Sequence, residues 1–293
     1  MVEAIDQAER PVVLAGPEVV LHRAVDGLRS LAVAGNLGVL NTWGAKGVFD
    51  WRSPHHLATA GLQARDFELG GLGDADVIIA TGLDEREVLG DWRLAPVVEV
   101  APASLHDLAA RISVRHREIT VPPLRGGLAR VTQAGWTATD GPLPPTKVTQ
   151  HYSQVVGDGG LVAADPGTAG YWIARTFPTQ RLGGALVTAD RGGRGFAVAC
   201  TVVARLADPA RPVLAVVDEL DGPTLHALEA AARLGIAVPV EVWGADGPAL
   251  DADAHGARLR ALVRDGRQAA IATDPAQLGE MLAVAGPIVA WTR

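Results

Sequence analysis

The sequence predicts an α/β protein built of two doubly wound parallel-sheet domains in tandem. Three observations carry that expectation. Short apolar runs rich in Val, Ile, Leu and Ala alternate along the chain with amphipathic stretches of helical period, and strands buried on both faces of a parallel sheet read as such continuous runs. The alternation is interrupted once, by a Pro- and Gly-crowded segment at 122–146, and then resumes. The length of 293 residues, 48% of them hydrophobic, suits two globular domains and excludes a disordered or collagen-like chain.

In the first half, Arg10 to Ala15 reads as a strand and Leu21 to Ala34 as a helix, with Gly38 to Asn41 as the next strand. Gly16-Pro17-Glu18 between the first two is a plain strand-to-helix turn, because Glu18 stands where a dinucleotide fingerprint needs its second glycine. A loop from Trp43 to His56 and a helix near Leu62 to Leu69 lead to a strand at Ala75 to Thr81, then strands at Pro96 to Val100 and Ile119 to Val121. These elements make a domain over residues 1–121.

Pro122, Pro123, Gly126, Gly127, Gly141, Pro142, Pro144 and Pro145 surround a weak helical patch, so 122–146 reads as a linker. The second domain, 147–293, opens with a helix from Thr146 to Val156 and a strand at Leu161 to Ala164. Helices follow near Thr168 to Arg175 and Gly195 to Leu206, then strand Pro212 to Val217, helix Pro223 to Leu234 and strand Ala237 to Val242. Helix Arg258 to Asp265, strand Ala269 to Ala272, helix Pro275 to Ala285 and strand Ile288 to Trp291 complete it. Gly157-Asp158-Gly159-Gly160 follows a helix and precedes a strand, the reverse of the order that a phosphate-cradling loop requires, and is read as a helix stop.

Composition narrows the function. Acidic residues outnumber basic ones by 33 to 26 and no basic run occurs, which gives no electrostatic basis for binding nucleic acid. Every apolar run is broken well short of the roughly 18 residues that a membrane-spanning helix needs. The lone Cys200 forms no internal disulfide, and the first thirty residues lack the pattern of an export signal, so the expected location is cytoplasmic.

Ala189-Asp190-Arg191-Gly192-Gly193-Arg194-Gly195-Phe196-Ala197-Val198-Ala199, with the strand and helix that follow, resembles the diphosphate-binding domain of thiamine-diphosphate enzymes of the acetolactate synthase and benzoylformate decarboxylase type. Arg10 to Gly16, Asn41 to Phe49 and Asp74 to Gly82 resemble the central domain of the same family, in the right order. The resemblance implies thiamine diphosphate and Mg²⁺ as cofactors, and decarboxylation or carboligation of a 2-oxo acid as the reaction class. It implies Gly192, Gly193, Arg194, Gly195, Asp218, Asp221 and Gly222 as cofactor contacts, and Glu219 and Asp246 as metal ligands.

Two departures from the family pattern stand out. The sequence begins at the central domain, so the glutamate that protonates the cofactor has no counterpart, no catalytic residue is assigned, and activity is expected to need a separate pyrimidine-domain subunit. The metal motif is also altered: Asp218-Glu219-Leu220-Asp221-Gly222 stands in place of Gly-Asp-Gly, and Val242 to Gly247 lacks the expected Asn, leaving Asp246, or alternatively Asp218 or Asp221. Four carboxylates in one crevice repel a diphosphate. The alternative is therefore a non-catalytic scaffold or regulatory homologue that binds no cofactor, expected as a homo-oligomer.

Other candidates have blander readings. Arg191 and Arg194 could hold a phosphate or serve an interface, and Lys46 could reach a phosphate or pack its loop. His55-His56 read as loop surface, His226 as a packing residue, and Cys200 as core.

Overall fold

The computed structural model describes residues 2–113 and 117–292. Two compact units are distinguished. The first holds the residues up to Ala129 together with Gln180–Leu182 and Leu282–Ala290; the second holds Arg130–Thr179, Gly183–Met281 and the residues from Trp291 onward.

The first unit runs α1 (Val2–Gln7), β1 (Pro11–Ala15), α2 (Glu18–Leu21), α3 (Val25–Gly35), β2 (Gly38–Thr42), β3 (His56–Ala60), β4 (Val77–Thr81), β5 (Val97–Glu99) and α4 (Leu105–Arg111). The five strands are parallel in the order β3-β2-β1-β4-β5. The central strand β1 is sealed on both faces: Val13 and Ala15 join one core cluster with Leu28, Leu31 and Ile79, and Leu14 joins another with Leu40, Ile78 and Ala80. This two-sided burial is why these strands read as unbroken apolar runs. Helix α3 ends where Asn36 takes the left-handed conformation at φ 46°, a stop that the short polar side chain of Asn tolerates.

Helix α5 (Pro123–Trp136) leads into the second unit, which continues through α6 (Pro145–Val156), β6 (Leu161–Ala164), α7 (Thr168–Thr176), β7 (Ala185–Val187), α8 (Phe196–Ala207), β8 (Val213–Val217), α9 (Gly222–Arg233), β9 (Val240–Trp243), α10 (Ala252–Asp265), β10 (Gln268–Ile271) and α11 (Ala276–Ala285). Its sheet is also parallel, in the order β10-β9-β8-β6-β7. The expected tandem of doubly wound parallel sheets is thus the observed architecture.

Several elements differ from expectation. The fifth strand of the first sheet is β3, which starts at the last residue of the expected loop and runs on to Ala60, where no element was expected, while Ile119 to Val121 forms no strand. His56 therefore opens a strand instead of lying on a loop surface, and it pairs with Val39 across an irregular register. The helix expected near Leu62 to Leu69 is replaced by a turn, in which the buried Asp66 carboxylate accepts from Leu62 N and Gln63 N at 2.8 and 2.9 Å, followed by a π-helical turn at Glu68–Leu72. The weak helical patch inside the Pro- and Gly-rich segment is the 14-residue α5. Ile288 to Trp291 is not a strand, and Ile288 makes only an isolated antiparallel bridge to Gln63. Gly157, at φ 64°, ends α6 as a helix stop.

Candidate functional site

In an open α/β sheet, ligands sit beyond the strand C-termini where the strand order reverses. In the first unit that point lies between β1 and β4, and the chain itself closes it: Gly16 N donates to Thr81 O at 2.9 Å and Glu18 N to Gly82 O at 3.0 Å. A Cβ on Gly16 would lie 2.3 Å from Gly82 O, so only glycine permits this approach. Beside it, the buried carboxyl of Glu87 accepts from the hydroxyl of Thr42 and from Gly44 N at 3.0 Å. Burial raises its pKa to about 7, against the lowering effect of those two hydrogen bonds.

In the second unit the reversal falls between β6 and β8, whose neighbouring ends are followed directly by Asp165 and Asp218. Each carboxylate takes two main-chain amides at the start of a helix. Asp218 accepts from Thr168 N at 2.7 Å and Ala169 N at 2.9 Å, at the head of α7. Asp165, only 6% exposed, accepts from Gly195 N and Ala197 N at 2.7 Å each, at the head of α8. Asp221 caps α9 by accepting from Thr224 N at 3.0 Å. Burial raises the pKa of both Asp165 and Asp218 above the usual carboxylate range, with the amide hydrogen bonds working in the opposite direction.

Arg194 is committed to this acidic group. Its Nη1 pairs with Glu219 and lies 3.2 Å from Asp221 Oδ2. Burial works against ionisation of Asp221, and the hydrogen bond from Thr224 together with the charge of Arg194 outweighs it, leaving the carboxyl below its ordinary range. The structure therefore brings Arg194, Gly195, Asp218, Glu219, Asp221 and Gly222 to one edge of the sheet. Gly192 and Gly193 form a tight turn in which Gly192 N binds Asp190 Oδ1 and Gly193 N binds Asp190 O, both at 3.0 Å. Asp246 is exposed in the loop after β9, and Arg191 is exposed.

The implied cofactor does not fit this arrangement. A diphosphate binds at helix N-termini through free amides, and here the amides of two such ends already hold carboxylates. Among the described residues, no group of three or more His, Cys, Asp or Glu side chains is placed to hold a metal ion. Glu219 and Asp221 pair with the guanidinium of Arg194, and Asp218 lies within its electrostatic reach.

Other candidates resolve into structural roles. Lys46 is buried, and its charge acts with that of Arg125, after burial itself, to lower the pKa of His56 to about 3. His55 binds Leu37 O through Nδ1 at 2.9 Å. Cys200 is half-buried, packed against the core of the second unit, and burial pushes its thiol up to about 11.

Sequence reading missed Asp165, whose only signal was its place directly after a strand and two residues before Gly167. It also missed a buried polar cluster made of Glu241 on β9, Tyr152 and His151 on α6, Trp243, and His255 and Arg258 on α10. These residues are scattered over a hundred positions, and no local spacing links them.

Residues 1–114 match the family described as thiamine pyrophosphate enzyme, central domain. An acetolactate synthase from Mycobacterium avium is 25% identical over 244 residues, which is 72% of this chain and 39% of that protein. A candidate acetolactate synthase large subunit from Methanocaldococcus jannaschii is 23% identical over 272 residues, 81% of this chain and 46% of its own length. The chain thus spans less than half the length of these curated relatives. A candidate thiamin diphosphate-dependent enzyme isolated from Mycobacterium smegmatis shares the fold with a TM-score of 0.72 and 16% identity, over 94% of this chain and 63% of that one. No helix among the described residues is long and apolar enough to cross a membrane. Residues 1–114 thus match a thiamine pyrophosphate enzyme central domain, and the chain over most of its length is similar to acetolactate synthases.

Proposed function

We propose that this chain is an acetolactate synthase-like protein that has lost cofactor binding and serves as a non-catalytic scaffold or regulatory homologue. The observation that carries this reading is the filling of the crevice between β6 and β8 by Asp165 and Asp218, with Arg194 paired to Glu219 and Asp221. Anionic oxygens entering there would meet carboxylates at short range in place of free amides. Calorimetric titration of the purified protein with thiamine diphosphate and Mg²⁺ tests it. No saturable heat is expected, and saturable binding would overturn the reading.

A second reading rests on Glu219, whose side chain is 61% exposed, and on the exposed Asp246, which leave oxygen donors in solvent at the ends of neighbouring strands. In that case a partner chain carrying the pyrimidine-binding domain would complete a thiamine-diphosphate-dependent enzyme acting on a 2-oxo acid, and Glu219 and Asp246 would be the Mg²⁺ ligands. Titration in the presence of that partner, with Glu219→Ala abolishing the heat, is the result that would favour it.

A further inference from the structure

We infer that Asp218 is a built-in occupant of an anion seat: its carboxylate stands where a diphosphate group would bind and keeps the head of α7 closed to external phosphates. The inference rests on the loss of cofactor binding proposed above and gives it a physical cause.

Three features of the chain converge on this point. The two Asp218 oxygens divide between two amides, Oδ2 on Thr168 N at 2.7 Å and Oδ1 on Ala169 N at 2.9 Å, as two oxygens of a phosphate group would. The backbone is shaped to admit them. Gly167 has φ 138°, in the region that favours glycine, and a Cβ there would lie 2.2 Å from Asp218 Oδ2, so the space that the carboxylate fills exists only because residue 167 has no side chain. One strand away, Asp165 takes a second pair of amides at the head of α8 in the same manner. The strand reversal therefore carries two carboxylates, each holding a pair of main-chain amides at a helix head. The carboxylates satisfy these four amides internally, as a bound diphosphate would satisfy them from outside.

Asp218 is the removable half of this arrangement. It lies on the rim and is half-buried, whereas Asp165 is enclosed and also receives Thr224 Oγ1 at 3.5 Å. Taking the Asp218 carboxylate away exposes two parallel amides at the positive end of a nine-residue helix and removes one negative charge from the crevice. Arg194, which lies within electrostatic reach of Asp218, then faces one competitor fewer.

The test compares the wild type with Asp218→Gly, using inorganic pyrophosphate without metal as the probe. Binding is read by calorimetry, and the thermal midpoint is read with and without the probe. The wild type is expected to show no saturable heat and no shift. Asp218→Gly is expected to melt lower on its own, to bind pyrophosphate at least tenfold more tightly than the wild type, and to recover its midpoint as the probe concentration rises. A folded Asp218→Gly that ignores pyrophosphate overturns the inference, as does a wild type that binds it equally well. Asp218→Asn, which keeps one acceptor oxygen but no charge, decides by the same readings if the glycine variant does not fold. The two proposals fail separately. Thiamine diphosphate binding by the wild type removes the functional reading, whereas an unresponsive Asp218 variant in a protein that binds no cofactor removes only this inference.

Discussion

The phenolic hydroxyl of Tyr152 donates to a carboxylate oxygen of Glu241, although 89 residues separate the two and neither side chain has any solvent exposure. Glu241 also faces His255 Nε2 and Arg258 Nη2, each at 3.2 Å, and Tyr152 accepts from Trp243 Nε1 at 2.7 Å. Burial alone would raise the carboxyl, and the contacts with His255, Tyr152 and Arg258 outweigh it, so Glu241 is held ionised below its ordinary range. Tyr152→Phe leaves the indole N–H without its acceptor and the carboxylate short of one donor. The expected loss is about 1–3 kcal/mol, read from urea unfolding at pH 7, with little change in the slope against denaturant.

His255 faces Glu241 through Nε2 at 3.2 Å and His151 through Nδ1 at 2.8 Å. Burial, followed by the nearby His255 and Lys147 and offset by Glu241, lowers the pKa of His151 from 6.5 to about 4, with Arg260 adding a smaller lowering. Because the folded value is the lower one, the unfolded chain binds the proton first as pH falls. Stability from this group is fully present above pH 6.5 and is lost progressively as pH falls toward 4. His151→Gln should flatten the dependence of unfolding free energy on pH across that window. An unchanged slope would show that His151 is not the group responsible.

What could be read from the sequence, and what could not, follows from the range of the interactions. The strands β1, β4, β6 and β8 were legible because burial on both faces leaves a local apolar signature. The strand β3 was not, since it begins at His56 and carries small residues, and β7 was missed because it has only three residues. The acidic loop at Asp218 to Asp221 was recognisable from its place after a strand. That Asp218 folds back onto Thr168 N, fifty residues earlier, depends on β6 and β8 being neighbours in the sheet, a fact of topology that no local spacing encodes.

Glu87 gives a pH effect of the opposite sign. Its folded pKa of about 7 lies above the ordinary 4.5, so its stabilising contribution is complete below pH 4.5 and is lost as pH rises through 7, where a charge must form in a buried site. Glu87→Gln keeps an oxygen able to accept from Thr42 and Gly44 but cannot ionise. The variant should match the wild type near pH 4.5 and melt higher at pH 8. Equal midpoints at pH 8 would mean that the carboxyl is already relieved of its charge cost there.

Gly167 makes the most direct probe of the crevice by packing alone. Its φ of 138° and the 2.2 Å approach that a Cβ would make to Asp218 Oδ2 mean that Gly167→Ala must both strain the backbone and push the carboxylate off the Thr168 and Ala169 amides. A loss of about 2–4 kcal/mol is expected, as for other substitutions that combine strain with a broken capping contact. Gly222→Ala is the control, because a Cβ there meets nothing within 4 Å, and its cost should stay within about 0.5 kcal/mol. The two mechanisms at Gly167 separate in the Asp218→Gly background, where the clash is absent and only backbone strain remains. Gly167→Ala should cost at least 1 kcal/mol less there than in the wild type, a coupling expected only of groups in contact. Additive costs would show that the Asp218 carboxylate does not rest against residue 167.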